Sequence, residues 1–339
     1  MINDLTEMKQ FGFNTIKYYG PCIYDHNILK AAHEQGLKVN YSFWIPDDLA
    51  FLSNKDAMDN LSAKVIRTVN NLHNNHDILA WELGNTPLQT LSLYYYKPDL
   101  LYKQDEYIRW LQTLVSAIKK ADPARAVCLD VRVDNSLVST TEKLHQLIPQ
   151  IDFFGLVADQ VSAGAEQIGE LKVPYFYSYI DALNYLKFPE SNTGAFITNW
   201  QDEETYSFVT FNGLKDKWGR NKFELRQLAN RWQRLTLPRA LPPVRILVPA
   251  VTTVANTALT YHAIINHNGL WGLAGATEGL EFKWVLVKVD AFDNALSMKF
   301  LGTGPQVTVS MPENPIANRL YLYVSRGNDV QIIKSKLGL

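Results

Sequence analysis

Cysteine is nearly absent from this chain of 339 residues, which holds only Cys22 and Cys128. The two fall on separate predicted strands, so free, buried thiols are expected rather than a disulfide. No Cys/His spacing typical of zinc occurs, and no cofactor is implied. Charge of one sign is missing as well. The formal net charge is −1, which gives no electrostatic footprint for nucleic acid or an anionic membrane. No apolar run approaches the ~20 residues that span a bilayer. Met1-Ile2-Asn3-Asp4-Leu5 has neither a basic region nor an apolar core, so no signal peptide is expected. Location is thereby left open, and an extracytoplasmic place fits if the chain is part of a longer protein. There is no internal repeat and no low-complexity tract.

What is present is a large apolar fraction, 47%, beside 20% charged residues. A sizeable core can form, and the length suits two domains or one large one. Up to about residue 235, helical periods alternate with short apolar runs. Helices are predicted over 4–11, 26–35, 54–73, 103–121, 141–147, 162–171 and 222–235. Strands are predicted over 14–19, 38–44, 78–84, 126–131, 153–158, 174–180 and 194–200, and a hairpin-like segment over 206–220. Such alternation means βαβ units and a parallel sheet. After Pro238 the character changes, and Leu241-Pro242-Pro243 reads as a linker. Beyond it, seven short β-rich runs follow over 244–251, 257–266, 281–289, 295–301, 305–311, 318–325 and 330–336. Their spacing suggests an antiparallel sandwich of immunoglobulin-like type, with Trp284, Tyr321 and Tyr323 in its core. The expected domains are therefore an α/β unit over 1–238 and a sandwich over 244–339.

One stretch organises the first domain: Ile78-Leu79-Ala80-Trp81-Glu82-Leu83-Gly84-Asn85-Thr86-Pro87. Leu61, Val65, Ile66, Val69 and Leu72 recur upstream at helical spacing, and Asn74-Asn75-His76-Asp77 ends that helix. A helix, a break, an apolar strand and then polar residues form one unit of an α/β barrel, whose active sites sit at the C-terminal ends of the strands. Tyr18-Tyr19-Gly20-Pro21 and Asn199-Trp200-Gln201-Asp202 end two further strands in the same way. Together these motifs resemble the clan of retaining β-glycoside hydrolases built on a (β/α)8 barrel, which includes cellulases, mannanases and β-galactosidases. The resemblance covers roughly residues 4–235. It implies a TIM-type barrel in which 14–19 matches the second strand. The first strand has no counterpart, so the chain is expected to be the C-terminal part of a longer polypeptide or a truncated form.

Retaining hydrolysis needs two carboxyl groups about 5 Å apart. In the clan the general acid/base Glu follows Gly-Asn on strand four, and Thr86 stands in that place. The nucleophilic Glu ends strand seven after a proline and an apolar run. Here Pro174-Tyr175-Phe176-Tyr177-Ser178-Tyr179 puts Tyr179 there. Threonine has no useful proton affinity near neutral pH, and a phenol with a reference pKa of ~10 is mostly neutral. Asp130, Asp159, Asp202 and Glu203 follow or end other strands at the same face and are the possible substitutes. Glu82 lies four residues below Thr86, roughly 13 Å deeper at ~3.3 Å per residue, and is expected to be an interior acid paired with Lys17.

The recognition residues implied by the resemblance are better kept. Asn85 holds the place of the residue that contacts the sugar 2-hydroxyl, and Trp200 the place of the aromatic platform. Tyr18, Tyr19 and Trp44 lie near strand ends, where aromatic faces can stack on sugar C–H faces. Trp81 is mid-strand and reads as core. Lys17 occupies a position usually held by Arg, where it donates without a bidentate fork. Three readings follow: a non-catalytic barrel that binds an oligo- or polysaccharide, an active β-glycosidase or transglycosylase with relocated carboxylates, and a structural module of a larger polysaccharide-handling protein. Thr86 and Tyr179 are expected to face each other across the barrel mouth.

Overall fold

The computed structural model describes residues 2–46, 50–158, 165–187, 193–234, 241–249, 257–275 and 279–337. The chain divides into two compact units, Met1–Ile197 and Thr198–Leu339.

In the first unit, strands and helices alternate: α1 Ile2–Gln10, β1 Thr15–Gly20, α2 Asp25–Glu34, β2 Lys38–Trp44, α3 Lys55–Leu72, β3 Ile78–Gly84, α4 Pro87–Thr90, α5 Asp99–Ala121, β4 Ala126–Arg132, α6 Leu137–Leu147, β5 Phe153–Ala158, β6 Tyr175–Asp181, α7 Ala182–Lys187 and β7 Ala195–Thr198. Seven parallel strands in the order β1-β2-β3-β4-β5-β6-β7 form a nearly closed barrel. The helices form as their spacing requires. Asn54 accepts the Ala57 N–H at 3.2 Å at the start of α3. On α5, Tyr107, Ile108, Leu111, Leu114, Val115 and Ile118 make one buried stripe. The expected helix over 162–171 is described only over Ala165–Glu170, where it is a 3-10 turn.

The strands carry different chemistry on their two faces. Tyr41, Phe43, Trp81 and Leu83 share one parity and are almost fully buried. Their rings interlock, Tyr41 edge-on to Trp81 at 5.6 Å and Phe43 stacked on it at 6.0 Å. The Trp81 Nε1–H donates to Asp122 at 2.9 Å, so Trp81 is core, as its mid-strand place suggests. The other parity points into the barrel and is polar: Lys17, Asn40, Ser42, Glu82, Asp130 and Ser178. Strands of a parallel sheet are normally apolar on both faces, so this polar interior is unusual. Cys128 is buried on β4, but Cys22 is exposed in the turn after β1 rather than buried on a strand.

In the second unit, β8 Asn221–Lys222 and α8 Phe223–Gln233 precede two sheets. One contains β9 Val244–Leu247, β10 Ala258–His267, β11 Leu270–Leu273 and β14 Gln306–Ser310. The other has β12 Glu281–Val289, β13 Ala295–Thr303, β15 Asn318–Arg326 and β16 Asp329–Lys336, in the order β13-β12-β15-β16-β8. Tyr261, Ile265, Trp284, Val309 and Leu322 belong to one apolar cluster that both sheets supply. Trp284 lies in this cluster, as expected, and its indole N–H donates to the Gly304 carbonyl. Tyr321 and Tyr323 belong to a second cluster on the opposite face of the five-stranded sheet, with Val209 and Val285. Phe211 stacks on Tyr321 at 4.3 Å and Trp218 meets Tyr323 edge-on at 5.1 Å. The 206–220 segment is therefore a cover for that face rather than a regular hairpin. The strands β8 and β11 were not expected: two and four residues are too few for a pattern of period two to declare itself.

In the first unit, β1 and β7 end the strand order. Amide hydrogen exchange should be fastest at β1 and β7 and slowest at β3, β4 and β5, because interior strands have partners on both sides. Equal protection across all seven strands would show that β1 and β7 are bonded to a further strand.

Candidate functional site

Lys17 on β1 reaches across the barrel interior. Its Nζ lies 3.0 Å from Glu82 Oε2 on β3, 3.0 Å from Asp130 Oδ2 on β4, and 2.5 Å from Ser178 Oγ on β6. The Ser178 hydroxyl donates to Glu82 Oε1 at 3.0 Å, and Asn40 Nδ2 donates to Glu82 Oε2 at 2.8 Å. Four strands thus meet on one ammonium. Ser178 is aimed there by an irregularity in β6, where Leu156 pairs with Tyr177 and Val157 with Tyr179, leaving Ser178 as the extra residue. Gly155 on β5 makes room, since a Cβ there would lie 2.4 Å from Asp130 Oδ1 and 3.1 Å from Glu82 Oε1.

Burial would by itself lower the Lys17 pKa, but Asp130 and Glu82 overcome it and the ammonium is held well above its usual range. One positive charge faces two carboxylates. Burial, then the Asp130 charge, pushes the Glu82 carboxyl up to about 8 against the pull of Lys17. Asp130 Oδ1 is the one carboxylate oxygen of this group with no hydrogen-bond partner among the described residues. A proton kept on Glu82 brings the cluster to neutrality. Sequence reasoning paired Lys17 with Glu82. It set Asp130 among accessible acids, whereas Asp130 is buried in the same cluster. Asn40, Ser42 and Ser178 were missed. For Asn40 and Ser42 the signal was available, as polar residues at alternate positions of the run Lys38-Val39-Asn40-Tyr41-Ser42-Phe43-Trp44; for Ser178 it lay in the β5–β6 register.

Above this cluster the strand ends form a rim. Asn85 follows β3 with a left-handed backbone, φ 76°, which asparagine tolerates better than most residues. Its N–H donates to Asp130 Oδ2 at 3.2 Å, its Nδ2 to the Ile45 carbonyl at 2.9 Å, and its Oδ1 accepts the Thr86 N–H at 3.0 Å. Thr86 is buried and begins α4. Gln89 of α4 pairs with the Arg132 backbone through both ends of its amide, fixing the turn to the top of β4. Tyr19 and Trp44 meet edge-on at 5.6 Å and are 41% and 57% exposed. Trp44 pairs in register with Gly84, where a Cβ would meet Ser42 Oγ at 2.3 Å and Tyr19 Cε1 at 2.9 Å. Lys17 lies 5.0 Å from the Tyr19 ring centre.

The remaining sequence-derived residues are distributed differently. Tyr18 lies on the opposite parity to Lys17 and Tyr19. Its hydroxyl donates to Asp25 at 2.9 Å, and Tyr41 donates to the other oxygen of Asp25 at 2.6 Å, so Tyr18 fastens β1 to the start of α2. Tyr179 is half-buried near the end of β6, three strands away from β3. Trp200, Asp202 and Glu203 belong to the second unit. There Lys215 Nζ lies 5.4 Å from the Trp200 ring centre. Asp202 is buried, 2.6 Å from Lys222 Nζ, and accepts the Gly213 N–H at 2.8 Å. Burial pushes the Asp202 carboxyl up to about 6 and the Lys222 ammonium down, each resisted by the other. Glu203 is exposed. Asp159 lies outside the described residues.

Two outcomes test this geometry. Glu82 keeps its proton in the folded state up to about pH 8, while in the unfolded chain it loses it near 4.5. Stability should therefore fall as pH rises from about 5 to 8, by at most about 1.4 kcal/mol per unit, and level off above. Denaturant melts of Glu82→Gln should lack that slope; an unchanged slope would remove Glu82 as its source. Gly155→Ala should cost about 1–3 kcal/mol by crowding Asp130 and Ser178, and a neutral effect would mean the interior has slack.

No family model and no curated protein matches this sequence. Solved structures do match its fold. A β-glucuronidase of Bacteroides uniformis matches with TM-score 0.56 and 13% identity, over 99% of this chain and 43% of that one. Bacteroides uniformis β-glucuronidase 2, covalently bound to cyclophellitol-6-carboxylate aziridine, gives 0.54 and 14% over the same shares. A β-D-glucuronidase of Dictyoglomus thermophilum gives 0.50 and 13% over 69% and 47%. The chain spans less than half the length of each. The likeness is one of fold: this chain carries a barrel of the kind found in glycoside hydrolases that act on β-glycosides.

Proposed function

We propose that the first unit is a glycoside-hydrolase-like barrel that binds a β-linked oligo- or polysaccharide at its rim and does not hydrolyse it by the two-carboxylate route. The observation that carries this reading is the contrast between rim and acids. Exposed Tyr19 and Trp44 lie edge-on to each other at the strand ends, and Trp44 pairs in register with Gly84, the residue before Asn85. Of the acids considered as substitutes, Asp130 is held on Lys17 together with Glu82 and Asp202 is held on Lys222, while Glu203 is exposed. Binding needs only stacking and hydroxyl hydrogen bonds. Hydrolysis needs a proton donor at the leaving oxygen and a nucleophile, and losing a general acid alone forfeits roughly 10²–10⁴-fold. Thr86 and Tyr179 supply neither, and in this reading they face the same cleft. The two β-sheets of the second unit are read as an immunoglobulin-like sandwich that accompanies the barrel in a longer polysaccharide-handling protein.

Calorimetry and turnover assays with β-1,4-gluco- and manno-oligosaccharides and aryl β-glucuronides test the reading. Binding without turnover is expected, with affinity about tenfold weaker in Trp44→Ala. Turnover that Asp130→Asn abolishes would replace it with the relocated-carboxylate reading. Neither binding nor turnover would favour a structural module.

A further inference from the structure

Three cations of the second unit converge on one indole. The ring of Trp218, 42% exposed, has Lys283 Nζ at 3.7 Å from its centre, Lys217 Nζ at 4.8 Å and Arg220 Cζ at 5.1 Å. Their positions are fixed from below. Trp218 stands edge-on to Tyr323, and Lys283 pairs in register with Tyr323 across β12 and β15. Buried Asp216 accepts the backbone N–H groups of Trp218 and Arg220 at 3.0 and 2.8 Å. Two of the three charges are answered: Arg220 pairs with Asp216 at 2.7 Å, and Lys217 pairs with Glu204. Lys283 has no carboxylate partner among the described residues. Glu281, on the same face of β12, is exposed and lies 3.5 Å from the Ser325 hydroxyl, which itself takes an Arg220 N–H at 2.7 Å. Burial, then the charges of Arg220 and Lys217, holds the Lys283 ammonium below its usual range. A second open ring lies beside it: Phe300 on β13, 54% exposed, has its centre 5.5 Å from Lys283 Nζ.

We propose that Lys283, Trp218 and Phe300 form a site for an acidic sugar residue, one whose ring carries a carboxylate or a sulfate. That the carrier is a sugar rests on the proposed function; the demand for an anion rests on the charges alone. An ammonium crowded by two like charges gains most from an oxyanion, which offsets their repulsion and accepts a charge-assisted hydrogen bond. The number of unanswered charges selects the carrier. Only one of the three cations lacks a carboxylate, and the net charge of the chain is −1. Neither a nucleic acid nor an anionic membrane finds here the run of cations that it needs. One oxyanion with a C–H face beside it fits one ammonium with an open phenyl ring beside it.

The test is calorimetry on the full chain with a galacturonate trisaccharide, glucose 6-sulfate, neutral cellotriose and inorganic sulfate. The acidic sugars should bind, more weakly at high than at low ionic strength, and binding of one alone would name the oxyanion. Lys283→Gln should weaken them about tenfold or more, and Lys283→Arg far less. Phe300→Ala should weaken the acidic sugars and leave inorganic sulfate unchanged. None of the three should alter cellotriose binding, which depends on Trp44. Lys283→Gln removes a repelled charge, so its thermal melt should match or exceed that of the native chain. Acidic-sugar affinity that is untouched in Lys283→Gln, or lost instead in Trp44→Ala, would overturn the site. Inorganic sulfate bound as tightly as the acidic sugars would overturn the sugar as carrier. A short single-stranded oligonucleotide bound more tightly than either, and through Lys283, would overturn it in favour of nucleic acid. Acidic-sugar binding without cellotriose binding would overturn the rim reading and leave this site standing.

Discussion

One ammonium group organises the interior of this barrel. Lys17 meets Glu82, Asp130 and Ser178 within 3.0 Å, so β1, β3, β4 and β6 share a single buried point. Removing one member of such a group typically costs 3–5 kcal/mol, because the charges left behind are buried without a partner. The geometry around it is subordinate to this clamp. Gly155 is small so that the carboxylates fit, β6 gains an extra residue so that Ser178 reaches in, and Asn40 takes the donor role left open on Glu82.

The clamp also explains why the mouth and the interior differ in chemistry. Carboxyl groups useful for hydrolysis must be reachable, one to give and take a proton and one to attack the anomeric carbon. Here Asp130 and Glu82 are buried, and both are held by the Lys17 ammonium. The clamp reaches the strand ends through one bond, from the Asn85 N–H to Asp130, which helps hold Asn85 in its left-handed turn between β3 and α4. The polar interior therefore shapes the surface above it without taking part in chemistry there. Asp202 and Lys222 repeat the arrangement in the second unit, where a buried pair fixes the turn around Gly213.

Strand positions in the first unit were legible because an apolar run between helical periods is a strong local signal, and β2, β3 and β5 fall where that signal places them. The pairing of Lys17 with Glu82 followed from depth along the strand. Asp130 was misjudged for the same reason that Ser178 was missed. Whether a residue near a strand end faces the mouth or the interior depends on register between strands, and no single strand records it. Tyr18 and Tyr19 show how narrow the margin is: one residue along the strand separates a fastener of α2 from a rim aromatic. Tyr321 and Tyr323 were rightly read as buried but on the wrong face, because a sheet covered by an irregular segment has the same alternation as one covered by another sheet.

The central claim is that the rim, and not the acids below it, is where this chain meets a saccharide. Backbone and indole chemical-shift mapping during titration with a β-1,4-linked hexasaccharide tests it directly. Saturable shifts are expected at Tyr19, the Trp44 indole and Asn85, with the Lys17 cluster unmoved apart from the Asn85–Asp130 bond. Shifts confined to other surfaces, or a titration that moves Glu82 and Ser178 while Trp44 stays still, would contradict it.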